Sequence, residues 1–387
     1  MLKKRITCVL FIVMIFTMAI MGGIDKMNET YKNMDKSTDM SMSQIFKLGR
    51  SVLSGAKDVS IFKEVAIEGN GLFQRIIDRK TVEDISPDDK VIKMNDGSLT
   101  FITDKILDVD VRAENIIKFN KFLKERSIQG LYIQAPHKTN EYNSQLPKGI
   151  INLANETADQ IIDKMRGKID ILDIRKEMKN DGINFTDAFF KTDHHWKPET
   201  AFYAFTKTAD ILKNNYGFEI SDEILNLDNY NKKILKKWFL GSEGKRVGSL
   251  YAGVDDISII SPKFNTNLEM IWPSYGIHDK GKWLDTVVMD NSNEGKNYYN
   301  SNPYAMYMGG DRDLQIIKNL NSLNNKKVVI VRDSFGCAFT PFLSLACKEL
   351  SVIDLRHYEG SLYNYVEENK PDAVIFLFNP TGIQYIR

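Results

Sequence analysis

Cysteine and histidine are scarce in this sequence, with three of the first and five of the second among 387 residues. Cys8 sits too early in an apolar run, and after the wrong residues, for a lipoprotein cleavage box. Cys337 and Cys347 read as sharing one helix, where a ten-residue separation places them about 15 Å apart, beyond the reach of a bridge. No structural disulfide is expected. A surplus of charge is also missing: 52 Lys and Arg stand against 51 Asp and Glu. Bulk charge therefore recommends no nucleic-acid partner, and an acidic substrate would have to be met by a local patch. Internal repeats, low-complexity tracts, paired cysteines and the H-x-x-x-H spacing are all absent from the sequence, which weakens metal readings.

A 43% apolar fraction supports a real core, and the length suits one large domain with an insertion or two domains. Lys3, Lys4 and Arg5 precede the uncharged run "ITCVLFIVMIFTMAIMGG", Ile6 to Gly23, in the positive-then-apolar order of an export signal. The run is at the lower edge of a membrane span, and no small-x-small cleavage site precedes Asp25. It reads as an uncleaved signal anchor with its positive flank in the cytoplasm; a cleaved signal peptide and a buried helix are the alternatives. The expected location is the cell membrane, single-pass, with the rest of the chain outside, or secretion if the signal is cleaved.

From Asp25 to about Ser43 the chain is polar and reads as a tether, and "SPDD" at Ser86 to Asp89 marks a turn. Beyond it, helical and strand patterns alternate. A helix over Val111 to Leu123 precedes the buried strand "GLYIQAP", and a helix over Asn155 to Met165 precedes "IDILDI". A helix over Leu314 to Leu323 precedes "KKVVIVRDS", one over Cys337 to Leu350 precedes "SVIDLR", and one over Ser361 to Glu368 precedes "DAVIFLF". Helices alternating with continuous Val/Ile/Leu strands predict a three-layer α/β core around a parallel sheet. Residues 216–311 break the rhythm with aromatic and β-branched runs, and read as a β-rich insertion over one end of the sheet. The chain thus divides into an anchor or signal peptide (1–23), a tether and N-terminal helical segment (24–97), a first core part (98–215), the insertion (216–311) and a second core part (312–387).

Two short stretches carry the chemistry. "VVIVRDSFG" places Ser334 at the carboxyl end of a buried strand just before a helix, the edge where open α/β sheets bind ligands. Asp333 or Ser334 could equally cap that helix. "KTDHHWKPETAF" gathers two of the five histidines, with Pro198 at a first helical position. In extended chain Asp193 and His195 project to one side and His194 to the other, so the first two are candidates for an orienting acid and a base. A helix cap with a packed indole, and a metal site that His137 and His278 could join, are the other readings of this cluster.

Together "TDHHW" and "VRDSFG" resemble the DHHW family, which belongs with the AlgX/AlgJ-type SGNH-like proteins of exopolysaccharide O-acetylation. The resemblance runs from about Ser98 onward: "APHKTNEYNSQLP" looks like the family's Pro-x-Lys element followed by Tyr and Leu-Pro, and "PDAVIFLFNP" like its closing strand. It implies an SGNH-like, flavodoxin-like sheet with the triad in permuted order, in which Ser334 matches the nucleophile, His195 the general base and Asp193 its orienter. Arg332 stands where a hydrolase has glycine, and no Gly-x-Asn-Asp block is present. The oxyanion donors implied are the amides of Ser334 and Gly336, or of Gly309 and Gly310; Arg356, His357 and Tyr358, at the same sheet edge, are candidate substrate contacts or a cap and core.

The activity implied is acetyl transfer through an acetyl-serine onto a polysaccharide such as cellulose, another exopolysaccharide or a cell-wall glycan. It needs no cofactor and no metal, and its acetyl source would be a multi-spanning MBOAT-type O-acyltransferase. A carbohydrate acetylesterase on the same triad and a non-catalytic glycan-binding or scaffold subunit are the alternatives. Trp238, Tyr251, Trp272, Tyr275 and Trp283 in the insertion could stack on sugars or form its core.

Overall fold

The computed structural model describes residues 60–386 except 84–89, 104–106 and 141–144, with scattered positions between 17 and 51. Most of the run Ile6–Gly23 and of the tether Asp25–Ser43, on which the anchor reading rests, lies outside the described residues. Among those described, no helix is long and apolar enough to cross a membrane. The chain divides into two compact units, 1–77 and 78–387. The first contains the helix Ser60–Ile76.

The second unit opens with a three-stranded antiparallel sheet of β1 (Thr81–Val82), β2 (Val91–Lys93) and β3 (Leu99–Phe101). Its main sheet has eight strands in the order β5-β4-β13-β11-β12-β10-β8-β9. β4 (Gln129–Gln134), β5 (Asp170–Asp173), β11 (Lys327–Arg332), β12 (Glu349–Ile353) and β13 (Ala373–Phe378) run parallel. β10 (Leu314–Asn319) lies antiparallel between β12 and β8 (Leu268–Trp272), and β9 (Ile277–Gly281) closes the edge as a hairpin with β8. β6 (Tyr230–Phe239) and β7 (Asp255–Pro262) form a separate antiparallel pair.

The alternation of side chains along the parallel strands builds the three layers. Val329 and Val331 of β11 join Val374 and Phe376 of β13 in packing against the helices Asp110–Lys124, Ala154–Met165 and Leu362–Asn369. Val328 and Ile330, with Ile375 and Leu377, face the helices Pro198–Asn214 and Gly336–Ser344 on the other side. Both faces are dry, which is why these strands read as continuous apolar runs.

Three expectations are corrected. The sheet is mixed rather than parallel, because β10 and β9 run antiparallel to their neighbours, and β8 and β9 extend it instead of packing over its end. Leu314–Asn319, expected to be helical, is a strand: Gln315, Ile317 and Asn319 are buried and alternate with half-buried neighbours, and the pairing fills the open edge of β12. An apolar spacing compatible with a helix is outweighed here by two ladders of backbone hydrogen bonds. The helix expected to reach Leu350 ends at Ser344, so Cys337 and Cys347 do not share it; both are free and buried.

Because β10 runs against β12, the loop before β10 emerges at the same edge as the loops after β4, β11, β12 and β13. That edge brings together segments distant in sequence.

Candidate active site

β11 ends at Arg332, and the chain turns through Asp333, Ser334 and Phe335 into the helix Gly336–Ser344. Asp333 makes the turn: its Oδ1 accepts the Phe335 N–H at 2.9 Å, and its Oδ2 accepts the backbone and side-chain N–H groups of Asn379 at 2.7 and 2.8 Å. The helix Gly336–Ser344 has no side-chain cap, so neither residue takes the capping role considered for it: Asp333 braces the turn before the helix, and the Ser334 hydroxyl meets His195.

Ser334 Oγ lies 2.7 Å from His195 Nε2, and His195 Nδ1 lies 2.5 Å from Asp193 Oδ1. With the ionised carboxylate as acceptor, Nδ1 carries the ring proton, and the hydroxyl donates to Nε2. Asp193 Oδ1 also accepts the His195 N–H at 3.0 Å, so residues 193–195 form a tight turn rather than extended chain. His194 is correspondingly not splayed away: its ring centroid is 3.9 Å from that of His195. Asp193 is buried, which opposes its charge; His195 and His194 beside it and the donated hydrogen bonds outweigh burial and hold the carboxyl well below its usual range. Burial, reinforced by the neighbouring His195, pushes His194 down to about 3, and burial pushes His137 down to about 4.

The turn is held from several elements. Asp255 at the start of β7 accepts the N–H groups of Lys191 and Thr192 at 2.8 and 2.7 Å. The buried Lys138 ammonium donates to the carbonyls of Leu99, Lys191 and Asp193 at 2.6, 3.2 and 2.7 Å. Ser242 donates its N–H to Asp193 Oδ2 at 2.7 Å. Trp196 ties the two halves together, since its indole N–H donates to Phe335 O at 3.0 Å. Tyr304 stacks on the His195 ring at 4.2 Å between centroids.

Gly241 packs directly against this turn. A Cβ added there would come within 2.1 Å of Asp193 Cβ and 2.5 Å of Thr192 O. Gly241→Ala is therefore expected to destabilise the protein by about 1–3 kcal/mol, the usual cost of overpacking. Urea denaturation of the variant checks this; an unchanged midpoint and slope would show that the loop yields freely.

Beneath Ser334, the fully buried Arg332 guanidinium pairs with Asp311 and, at 3.4 Å, with Asp354, and donates to Gly310 O at 3.2 Å. Arg356, a candidate substrate contact, is taken up in this network through Asp354 and, at 2.8 Å, Asp311. Tyr358 is not brought to Ser334: it packs edge-on to Tyr365 in the cluster on the opposite sheet face. Of the amides considered as oxyanion donors, Gly336 N–H is spent on Asp333 O at 3.0 Å and Gly310 N–H on Tyr307 O at 3.2 Å. Those of Ser334 and Gly309 have no hydrogen-bond partner among the described residues. Gly309 and Gly310 have φ of +64° and +86°, conformations that favour glycine.

In the insertion, Tyr251, Trp272 and Trp283 are buried and Trp238 is partly buried against the core, whereas Tyr275 is 56% exposed. Ligand atoms of Asp193, His194 and His195 lie within 4.8 Å of one another, so the metal reading has a geometric basis. Both ring nitrogens of His195 and both oxygens of Asp193 are nonetheless taken by hydrogen bonds, and His278 lies on the far edge strand β9. Sequence reasoning missed Ser242, Asp255, Lys138 and Tyr304 as parts of this site. Of these, Lys138 lies in "APHKTNEYNSQLP", on which the family resemblance rests, and Asp255, like Ser242 and Tyr304, lies in the β-rich insertion.

A family model described as DHHW protein matches residues 146–353, more than half of the chain. The chain belongs to the DHHW family. Among solved structures it is similar to PatB1 of Bacillus cereus, also solved with a sulfonyl adduct; in that form the identity is 22% and the TM-score 0.64, over 78% of this chain and 97% of the other. A DHHW family protein from Eubacterium siraeum is 18% identical with a TM-score of 0.58, over 79% of this chain and 97% of the other. The O-acetyltransferase domain of Pseudomonas putida AlgJ follows at 13% and 0.44, over 76% and 91%. At these identities the first two likenesses establish that this DHHW chain shares their fold. No curated protein matches it in sequence.

Proposed function

We propose that this DHHW chain is an O-acetyltransferase that moves an acetyl group through an acetyl-Ser334 intermediate onto hydroxyls of an extracellular polysaccharide. The observation that carries the reading is the hydrogen-bonded line Asp193–His195–Ser334 at the carboxyl edge of the sheet. A hydroxyl aligned on an imidazole, itself oriented by a buried carboxylate, is an arrangement for acyl transfer. The acetyl group and the glycan acceptor follow from the resemblance to the AlgX/AlgJ-type O-acetylation proteins.

In the first step Ser334 Oγ bonds to the acetyl carbonyl carbon while its proton passes to His195 Nε2. The tetrahedral oxyanion is met by the Ser334 N–H, the free amide nearest the reacting atom. Its collapse breaks the bond to the donor oxygen, which leaves with the proton from His195. An acceptor hydroxyl then gives its proton to Nε2 and attacks the acetyl-serine, and Ser334 Oγ departs and is reprotonated. Asp193 keeps Nδ1–H in place and stabilises the imidazolium in both steps. The acetyl donor in the cell would be an MBOAT-type membrane O-acyltransferase, with the chain held at the membrane by Ile6–Gly23.

The test is to incubate the purified full chain with an activated acetyl ester, with and without oligosaccharides, and to follow peptides and glycans by mass spectrometry. Acetyl on the peptide carrying Ser334 and on the glycan is expected. Acetate release that no glycan diverts would make the protein an esterase; absence of acetyl on both would leave a glycan-binding or scaffold subunit.

A further inference from the structure

We propose that Glu243 is a neutral carboxylic acid that positions the Asp193 carboxylate through the hydroxyl of Ser242. Glu243 is fully buried in the first turn of the short helix Ser242–Val247, next to the residue that grips Asp193. The Ser242 hydroxyl oxygen has three polar partners: Asp193 Oδ2 at 3.0 Å, Glu243 Oε2 at 3.0 Å and His194 Nδ1 at 2.9 Å. A hydroxyl has one proton to give and two lone pairs to receive with.

The donor count then decides the protonation. Asp193 is ionised and can only accept, so it takes the Ser242 proton. The remaining two partners must both donate to Ser242, which requires His194 in its Nδ1–H tautomer and a proton on Glu243. An ionised Glu243 would compete with Asp193 for the single hydroxyl proton and leave two oxygens 3.0 Å apart with no hydrogen between them. It would also place a second carboxylate charge in the interior, with Glu243 Oε1 already lacking any partner. The charged and titratable groups facing Glu243 are Lys138, Asp193 and His194. Lys138 makes no hydrogen bond to Glu243, since its three protons go to the carbonyls of Leu99, Lys191 and Asp193, and it acts on Glu243 through its charge alone. Burial pushes the Glu243 carboxyl up to about 8, with the Lys138 charge opposing and the Asp193 charge reinforcing that rise.

Glu243 is thus a positioning residue: it touches no reacting atom, and it frees the Ser242 proton for the carboxylate that orients His195. The kinetic part of this inference rests on the acyl-transfer reading; the protonation part does not. The experiment compares the full-length wild type with Glu243→Gln and Glu243→Ala. Turnover of an activated acetyl ester is measured from pH 6 to about pH 9.5, alongside infrared difference spectra of wild type against Glu243→Gln.

Glutamine keeps the shape and donates an N–H to Ser242 at every pH. Glu243→Gln should stay within about twofold of wild type near pH 7 and lack the wild-type decline centred near pH 8. Glu243→Ala should lose about three- to tenfold in kcat with KM unchanged, the scale of one hydrogen bond between neutral groups. The wild-type spectrum should show the carbonyl stretch of an un-ionised carboxyl at neutral pH that Glu243→Gln lacks. Absence of that band overturns the proposal even if no ester is turned over. With active wild type, equal damage in the glutamine and alanine variants, or none in a folded alanine variant, overturns it too. If the alanine variant does not fold, the glutamine variant and the band decide.

Discussion

Alanine at Ser334 or at His195 is expected to lower kcat for an acetyl ester by about 10⁶, and the double variant is expected to be no worse than either alone. In the proposed reaction the hydroxyl and the imidazole, 2.7 Å apart, share one proton, so removing either would stop the same transfer. Asp193→Asn should cost less, about 10⁴. Asparagine preserves the volume but replaces one acceptor oxygen by an amide, while Asp193 accepts from both N–H groups of His195 and both donors of Ser242. If the amide turns its N–H₂ toward His195, Nδ1 must become the acceptor. Nε2 then carries the proton, and the Ser334 hydroxyl meets a donor instead of a base. KM should move little in all these variants if, as proposed, the three side chains act on the transferred proton and not on the binding of the donor ester. Steady-state kinetics with circular dichroism to verify folding gives the comparison; a folded Ser334→Ala protein with wild-type turnover would place the chemistry elsewhere.

Arg332→Ala is expected to destabilise the protein by about 3–5 kcal/mol, the cost of removing one partner from a buried ion pair. Arg332 is completely buried, and it neutralises Asp354, which is 1% exposed in its side chain, together with Asp311. Its loss leaves Arg356 as the one cation that the described ion pairs give these two carboxylates. The carboxyl of Asp311 records the same balance: burial opposes its charge, but Arg332 and then Arg356 hold it well below the usual range. A depressed carboxyl stabilises the fold above its unfolded pKa of about 4 and loses that contribution as the pH falls. The deficit of Arg332→Ala should therefore be greatest near neutrality and shrink only as the pH falls below about 4, which urea denaturation at pH 7 and at about pH 2.5 would show. A difference below about 1 kcal/mol at pH 7 would mean that both carboxylates reach solvent when the arginine is removed.

This network also accounts for a departure noted in the sequence. Where a hydrolase has glycine before its Asp-Ser pair, Arg332 stands here, and its side chain fills the space under the helix start so closely that a Cβ on Gly336 would meet it at 2.7 Å. Gly336 is thus required by close approach to Arg332, while its amide closes the turn on Asp333; the oxyanion role considered for it conflicts with both.

What the sequence determined by itself was local. Pro198 begins the helix Pro198–Asn214, β11 ends just before Asp333-Ser334, and the alternation of helices and apolar strands specified the layers. Each of these follows from neighbours in the chain: a missing N–H, a fixed φ, a side-chain period. The turn that closes Asp193 onto His195 was half legible, in the spacing of two, although extended chain was the wrong geometry for it. Tertiary structure alone decided the rest. Leu314–Asn319 became a strand because β12 and β8 offered it partners from both sides. Ser242, Asp255 and Tyr304 reached the histidine turn from 49 to about 110 residues away. Ser334 meets His195 across a separation of 139. No local period encodes such encounters, because they depend on which loops the strand order brings to one edge of the sheet.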